Sequence, residues 1–371
     1  VLATLALLAG TLILVAGSQP SPSPFRSWAP SPALDGAEVV PGVSRVTEDA
    51  AGRDLRDRPL EGMHRVAFTP DGGVWVLGVS ELFRLGHDRA FPLPRGSNAE
   101  LDAGPDGTLW AIFDGQVASF RGGAWTMGPA FAGTARGLEV LPDGQVWASS
   151  DTVLARLDGE RWITVPLPGD VEGIDAGMTY PVASSLDGGL ATSADGSLWL
   201  RASSGDRLLR YDGTTWESIA FPTDFRVTLW AAGSDGVVWA YEDSGPWADS
   251  SRTSGGCGPS RKHRVARFAD GSWTVMPDRI PGIWLDQCYV GYMAVAPDGR
   301  LWATAGDRIG FHDGAAWSDV LLQPHDEAWP LPEGEAVEDW SPQVPIAVAP
   351  DGSAWIWTRA GLVVIDPASG R

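Results

Sequence analysis

An all-β ring of repeated four-stranded sheets is the fold class this sequence predicts, and three observations predict it. The first is a unit, Met293 to Val320, that reads MAVAPDGRLWATAGDRIGFHDGAAWSDV: four apolar runs parted by Asp298-Gly299, Gly306-Asp307 and Asp313-Gly314. Asp-Gly between apolar runs is a strong hairpin signal, and the turn it predicts is type I′, with positive φ at both central residues. The second is recurrence. The core Asp-Gly-x-x-Trp occurs seven times, ending at Trp75, Trp110, Trp147, Trp199, Trp239, Trp302 and Trp355. The third is a further Trp on the fourth run of five copies, at Trp125, Trp162, Trp216, Trp273 and Trp317. Antiparallel four-stranded units at this period stack as blades about an axis, so the prediction is a seven-bladed β-propeller.

The chain begins with VLATLALLAGTLILVAGS, residues 1–18, which carry no charge. Their length and apolarity fit either a secretory signal or a hydrophobic transmembrane helix, and both readings export the remainder of the chain. An uncleaved anchor is the favoured reading. Residues 19–34, QPSPSPFRSWAPSPAL, form a Pro/Ser linker too poor in apolar side chains to pack a core. Residues 35–41, DGAEVVP, resemble the turn and fourth strand of a blade, as in DGERWITVP at Asp158 to Pro166. The last copy reaches Gly370-Arg371 without a fourth run of its own. Glu38 to Pro41 is therefore expected to supply it, closing the ring and removing two open sheet edges. The propeller then spans 35–371, with blades near 63–95, 98–131, 137–168, 188–224, 226–280, 289–324 and 343–371. Several fourth runs end in Pro (Pro94, Pro166, Pro222, Pro277, Pro324), which lacks a ladder donor and belongs at strand ends.

Parity separates the two ends of the ring. In a four-stranded meander the turns after runs one and three share one end, and those after runs two and four share the other. The first class is almost uniformly a two-residue Asp-Gly or similar tight turn, as at Asp143-Gly144, Asp158-Gly159, Asp195-Gly196 and Asp212-Gly213; every long insertion (169–188, 242–263, 281–288, 325–342) falls in the second. Loops displayed on a rigid scaffold are where binding sites sit, so function is assigned to the elaborated end. Cys257 and Cys288 fall in that class, in neighbouring blades, and in an exported chain they are expected to form a disulfide.

Composition excludes some partners. The formal charge is −20, and one lysine, Lys262, stands among 27 basic residues. No basic stripe suits a nucleic acid. Neither a Cys-x-x-Cys pair nor a D-x-D-x-D-G loop is present, so no metal and no cofactor are expected. The five histidines, His64, His87, His263, His312 and His325, are spread over different blades, and no catalytic residue is assigned. The loop 325–342 joins six carboxylates to two Trp with no Lys or Arg. Ring faces beside carboxylates suit sugars or cationic ligands. The candidate ligand-binding residues are Tyr180, Trp284, Asp286, Tyr289, Trp329, Glu338, Asp339 and Trp340. Capping of the blade stack by Trp284 and Trp340, with the acids merely solvated, is the competing reading.

Two stretches, APDGSAWIWTRAGLVVID (Ala349 to Asp366) and SADGSLWLRASSGDRLLRYDG (Ser193 to Gly213), resemble the two-component regulator propeller repeats. More distantly, the blades are similar to those of virginiamycin B lyase-type propellers. The first resemblance implies an extracytoplasmic sensor domain of a membrane regulator; the second implies a lyase with His and Glu near the axis, a pattern these blades do not show. The expectation is a binding or sensing module on the bacterial membrane, held there through residues 1–18, or secreted. A small-molecule, glycan or protein ligand is expected on the long-loop end. A lyase and an exported interaction scaffold are the alternatives.

Overall fold

The computed structural model describes residues 38–40, 43–46, 65–78, 80–94, 98–175, 189–225, 227–233, 236–244, 262–276, 292–305, 308–321, 346–358 and 361–366. Among these, 29 strands form seven antiparallel sheets. Blade one is β3 (Arg65–Phe68), β4 (Val74–Leu77), β5 (Glu81–Arg84) and β6 (Ala90–Pro92). Blade two is β7 (Asn98–Ala103), β8 (Leu109–Phe113), β9 (Gln116–Arg121) and β10 (Ala124–Met127). Blade three is β11 (Gly137–Val140), β12 (Val146–Ser149), β13 (Leu154–Asp158) and β14 (Arg161–Val165). Blade four is β15 (Leu190–Thr192), β16 (Leu198–Arg201), β17 (Arg207–Tyr211) and β18 (Trp216–Ala220). Blade five is β19 (Val227–Ala232), β20 (Val238–Ser244), β21 (Lys262–Ala269) and β22 (Ser272–Val275). Blade six is β23 (Tyr292–Val295), β24 (Leu301–Ala305), β25 (Arg308–His312) and β26 (Trp317–Leu321). Blade seven contains β27 (Ala347–Val348), β28 (Ala354–Thr358) and β29 (Gly361–Ile365), joined by β2 (Val43–Val46) and β1 (Glu38–Val40). The first strands of consecutive blades touch one another from β3 round to β27 and back to β3, so the ring is closed.

The closing strand is not the one expected. The neighbour of β29 is β2, with Val43 opposite Ile365 and Val46 opposite Leu362. Glu38–Val40 lies outside β2 as a fifth strand, Val40 facing Val43. The physical reason is in the sequence: Pro41-Gly42 is a turn dipeptide, and the residues after it, Val43-Ser44-Arg45-Val46, carry their own strand alternation. Residues 1–37 lie outside the described set. Among the described residues no helix is long and apolar enough to cross a membrane.

The tryptophans build the seams. Trp75 packs with blade two, Trp110 with blade three, Trp147 with blade four, Trp199 with blade five, Trp239 with blade six, Trp302 with blade seven and Trp355 with blade one. The fourth-strand tryptophans face the opposite way: Trp125, Trp162, Trp216, Trp273 and Trp317 each join the cluster shared with the preceding blade. At several seams a ring on the third strand lies between the two. Tyr211 is 5.8 Å from Trp147 and 4.8 Å from Trp216; Phe268 is 6.0 Å from Trp199 and 5.2 Å from Trp273. Edge and tilted contacts at these separations add to the area the rings remove from water. At the seam of blades five and six the middle ring is His312, 5.1 Å from both Trp239 and Trp317. Trp230 and Trp357, which lie outside the repeat positions, are also core.

One end of the ring, here called lower, holds the turns after first and third strands. All seven connections from first to second strand span five residues, as in 69–73 and 349–353. Their turn type corrects the type I′ expectation. In the 141–145 turn, Gly144 N–H donates to Leu141 O at 2.8 Å and Leu141 N–H to Gln145 O at 2.9 Å. Gly144 has φ 88°, while the positive-φ non-glycines among the described residues are Asp114, Asp224 and Asp270. This is a type I turn followed by a left-handed glycine. Pro142, like Pro70, Pro105, Pro297 and Pro350, presets the φ that type I requires at its first central residue. Type I′ geometry does occur elsewhere, at Asp114-Gly115 (φ 48° and 76°) and Asp270-Gly271 (φ 53° and 74°).

Candidate functional site

Function-bearing asymmetry has to be sought against the repeat, and the repeat is most regular at the lower end. There the turn Asp accepts the N–H two residues on: Asp106 from Thr108 at 3.0 Å, Asp195 from Ser197 at 2.9 Å and Asp351 from Ser353 at 2.9 Å. A third-strand Arg pairs with that carboxylate in several blades, Arg84 with Asp71 at 3.0 Å, Arg121 with Asp106 at 3.2 Å and Arg210 with Asp195 at 2.6 Å. The same guanidinium lies over the repeat Trp, 6.0 Å from Trp75 for Arg84 and 5.5 Å from Trp199 for Arg210. Turn, arginine and tryptophan form one structural device. The Thr108 N–H holds the Asp106 carboxyl below its ordinary range, aided by the Thr108 hydroxyl and Arg121. Asp212 is lowered by the N–H groups of Thr215 and Thr214, and Asp313 by those of Ala316 and Ala315.

The upper end has no such repeat. Its connections run from two residues, as at 114–115, to long stretches at 47–64, 166–189, 245–261, 276–291 and 322–346. The stretch 47–64 was not expected; it exists because the closing strand is 43–46. The hairpin of β20 and β21 is the longest described, and its last pairs, Glu242–Arg264, Asp243–His263 and Ser244–Lys262, carry it above the neighbouring blades. Two first strands, β7 and β19, are bulged at their upper ends, between Asn98 and Leu101 and between Val227 and Leu229. Bulges re-aim side chains beside functional sites.

Arg–carboxylate pairs are numerous at this end, Arg136 with Asp151 at 3.4 Å and Arg207 with Asp170 at 2.9 Å among them, and three more stand in different settings. Arg65 on β3 pairs with Glu100 on β7 at 3.4 Å, the two side chains only 11% and 9% exposed. Arg201, at the upper end of β16, binds Asp175 and also donates to the Val227 carbonyl at 2.9 Å, tying blade four to blade five. Arg264 binds the buried Glu242, donates to the Asp224 carbonyl at 2.6 Å and lies 5.2 Å from the Phe225 ring. Segment 171–175 is stitched over the seam of blades three and four: Ile174 N–H donates to Asp151 O and Asp175 N–H to Arg201 O, each at 2.8 Å. Lower in the ring, Asp102 accepts the Val140 N–H at 2.6 Å and Glu139 the Thr192 hydroxyl at 3.2 Å. Other first strands hold Ala67, Ala191, Ala231, Ala294 and Ala347 at that level.

The expected ligand-binding residues, Tyr180, Trp284, Asp286, Tyr289, Trp329, Glu338, Asp339 and Trp340, and the cysteines Cys257 and Cys288, lie outside the described residues. What is described are the ends of their segments. Asp175 and Gly189 flank 176–188, Ser244 and Lys262 flank 245–261, Met276 and Tyr292 flank 277–291, and Leu321 and Ile346 flank 322–345; every one of these ends is at the upper face. Sequence reasoning missed Arg65, Glu100, Asp175, Arg201, Glu242 and Arg264. Two could have been found by aligning the repeats: six positions before the turn Asp, where Arg65 and Glu100 stand, the other blades have Gly137, Gly189, Leu229, Tyr292 and Pro345. Among the described residues no group of three or more His, Cys, Asp or Glu side chains is placed to hold a metal ion.

Closed by its N-terminal segment and elaborated at one end, the molecule is a seven-bladed, all-β propeller. No family model matches the chain, and no curated protein matches it. Solved structures do. A streptogramin B lyase aligns with TM-score 0.59 at 15% identity, over 85% of this chain and 96% of that one. YCF48 bound to D1 peptide aligns with TM-score 0.56 at 16% identity, over 90% and 99%. The extracellular domain of the hybrid two component system BT3049 from B. thetaiotaomicron aligns with TM-score 0.53 at 11% identity, over 89% of this chain and 41% of that one. These identities carry the fold. Both resemblances read from the blades are thus found among the structural neighbours.

Proposed function

We propose that this chain is an extracytoplasmic binding or sensing module that takes its ligand on the upper face, without chemistry of its own, and that residues 1–18 tether it to the bacterial membrane. One observation carries the reading: five long connections, with Arg–carboxylate pairs of differing setting, gather at one end of a ring whose other end has only short turns. A rigid scaffold with variation confined to one face is the arrangement of a receptor. The same fold in the extracellular domain of a two-component system supports it. The ligand class favoured by the composition of 325–342 is a sugar or an organic cation.

Lys262, the only lysine, gives a single side-chain amine at the upper tip of β21 for an environment-sensitive fluorophore. Titration of the labelled protein with glycans, organic cations and peptides should give a saturable signal with one class. Trp340→Ala or Trp284→Ala should then weaken binding about tenfold, about 1.4 kcal/mol, with Tm unchanged. Loss of several kcal/mol of stability in both variants would make these residues packing elements and move the site elsewhere. The streptogramin B lyase likeness supplies the rival reading; conversion of a streptogramin by the purified chain would establish it.

A further inference from the structure

The seam of blades five and six follows the common plan with one ring exchanged. Opposite the residue that precedes the repeat Trp stand Phe120 in blade two, Tyr211 in blade four, Phe268 in blade five and Ile365 in blade seven. In blade six that place belongs to His312, opposite Leu301. His312 is 1% exposed, and the two indoles beside it, Trp239 and Trp317, belong to a cluster with Tyr241, Met293 and Leu301. Its Nδ1 accepts the Gly314 N–H at 2.9 Å. A backbone N–H can only donate, so Nδ1 carries the lone pair and the imidazole that fits is neutral, with its hydrogen on Nε2. Blade four has the same turn: Asp212 accepts the Thr214 and Thr215 N–H groups at 2.8 and 2.7 Å, as Asp313 accepts those of Ala315 and Ala316 at 2.8 and 2.9 Å. There the ring is Tyr211, whose hydroxyl donates to Gly213 O at 2.8 Å.

We propose that His312 makes this seam a pH-responsive joint, closed while the imidazole is neutral and loosened when it takes a proton. The added proton must go to Nδ1, where it meets the Gly314 N–H head on. Protonation therefore breaks that bond and leaves a charge between two indoles, away from water. The charged groups nearby do not undo this. Asp313 favours an imidazolium, but its carboxylate lies on an exposed turn, already bonded to Ala315 and Ala316, where its pull is screened. On β24 Arg300 pairs with Asp298 at 2.6 Å, and on β21 Arg267 lies 5.9 Å from the Trp239 ring; neither cation favours a further positive charge. Tyr241 of β20 lies within the cluster. Asp319 of β26 and Arg308 of β25 stand higher in the blade, opposite Gly310 and Leu321. A histidine held neutral in the fold takes its proton more readily when unfolded, at about pH 6.5. The stability of the joint is therefore full above that value and is lost as pH falls below it. The effect is local: blades five and six part first on mild acidification, and seams whose middle ring is Phe or Tyr do not respond.

The test is urea unfolding from about pH 7.5 to about pH 5, on the full chain and on His312→Phe and His312→Asn. Phe is the ring that blades two and five use at this place; Asn keeps an acceptor near the Nδ1 position and takes no proton. Over this range the folding constant of the native chain should fall roughly tenfold more than that of either variant, the effect of one histidine that titrates only when unfolded. An equal fall in the native chain and a folded variant would overturn the joint. So would a rise in native stability on acidification, which would show that Asp313 and the two indoles hold an imidazolium. Should neither variant fold, hydrogen exchange of the native chain decides. Corrected for intrinsic rates, protection of β20, β25 and β26 should drop about fivefold more than that of β9 and β13 between about pH 7.5 and about pH 5.5. A uniform loss across all blades, or none, would overturn the proposal.

Discussion

At the lower end of the ring an arginine does the same thing in several blades; at the upper end the arginines differ more in what they hold. Arg84 and Arg210 each lie over a repeat Trp and close onto a turn Asp. Arg65 instead bridges two first strands, Arg201 joins two blades and a connection, and Arg264 sits between a buried Glu and a ring. The lower end is thus solved once and copied, because each turn closes its hydrogen bonds within its own blade even where a neighbour touches it, as where Gly299 O accepts from Trp239 Nε1 at 3.1 Å. The upper end must carry long connections of different length and sequence across neighbouring blades, so each needs its own fastening. Regularity marks what holds the ring; departure from it is the ground for the binding face proposed above.

Four changes would break or sharpen that contrast. The largest effect is expected at a seam, which belongs to neither end. Trp239 is fully buried against blade six, and Trp239→Ala should cost about 3–5 kcal/mol by denaturant unfolding. Next is the upper pair. Glu100→Ala leaves the Arg65 charge in a site 11% exposed and should cost about 3 kcal/mol, while Arg65→Leu with Glu100→Leu should be near neutral. If the single and double changes cost the same, the pair is not an isolated unit. At the lower end Gly196→Ala, at φ 80°, should cost about 1 kcal/mol, set by the left-handed backbone; a larger loss would show that this turn is fastened to more than its own blade.

The smallest effect is electrostatic and concerns the lower turns. Asp106, Asp212 and Asp313 are held below the ordinary carboxyl range by the backbone N–H groups of Thr108, of Thr215 and Thr214, and of Ala316 and Ala315. A carboxylate depressed on folding contributes stability above its unfolded value, ~3.9, and loses it as pH falls through the folded value. The urea midpoint should therefore be flat on account of these groups from pH 8 to about pH 5 and fall below about pH 4. Asp106→Asn with Asp212→Asn and Asp313→Asn should shallow that acid limb and leave the neutral plateau nearly in place. An unchanged limb would assign acid sensitivity to other carboxylates, such as Asp71 and Asp195, which are also held low.

Much of this was legible in the residues. Asp-Gly-x-x-Trp fixes a turn, a second strand and a seam within five positions, and repetition multiplies the signal, so blade number could be read directly. The turn type was misread although Pro70, Pro105, Pro142, Pro297 and Pro350 announced it. The closing strand was misplaced by one hairpin, because local similarity identifies a strand but not its order in a sheet. Arg65 and Glu100 stood out from the repeat without saying that they meet.

The sequence alone determined the number of blades, the parity of their connections and the residues that cement the seams, since each depends on contacts within a few tens of residues or on a pattern repeated seven times. Only the tertiary structure decided which N-terminal strand touches β29 and which carboxylate each upper arginine finds. Val43 and Ile365 pair across nearly the whole chain, where many strands satisfy the same local chemistry and closure of the ring selects one; the arginine pairs are nearer in sequence, 35, 26 and 22 positions apart, but join strands and connections that no repeated pattern brings together.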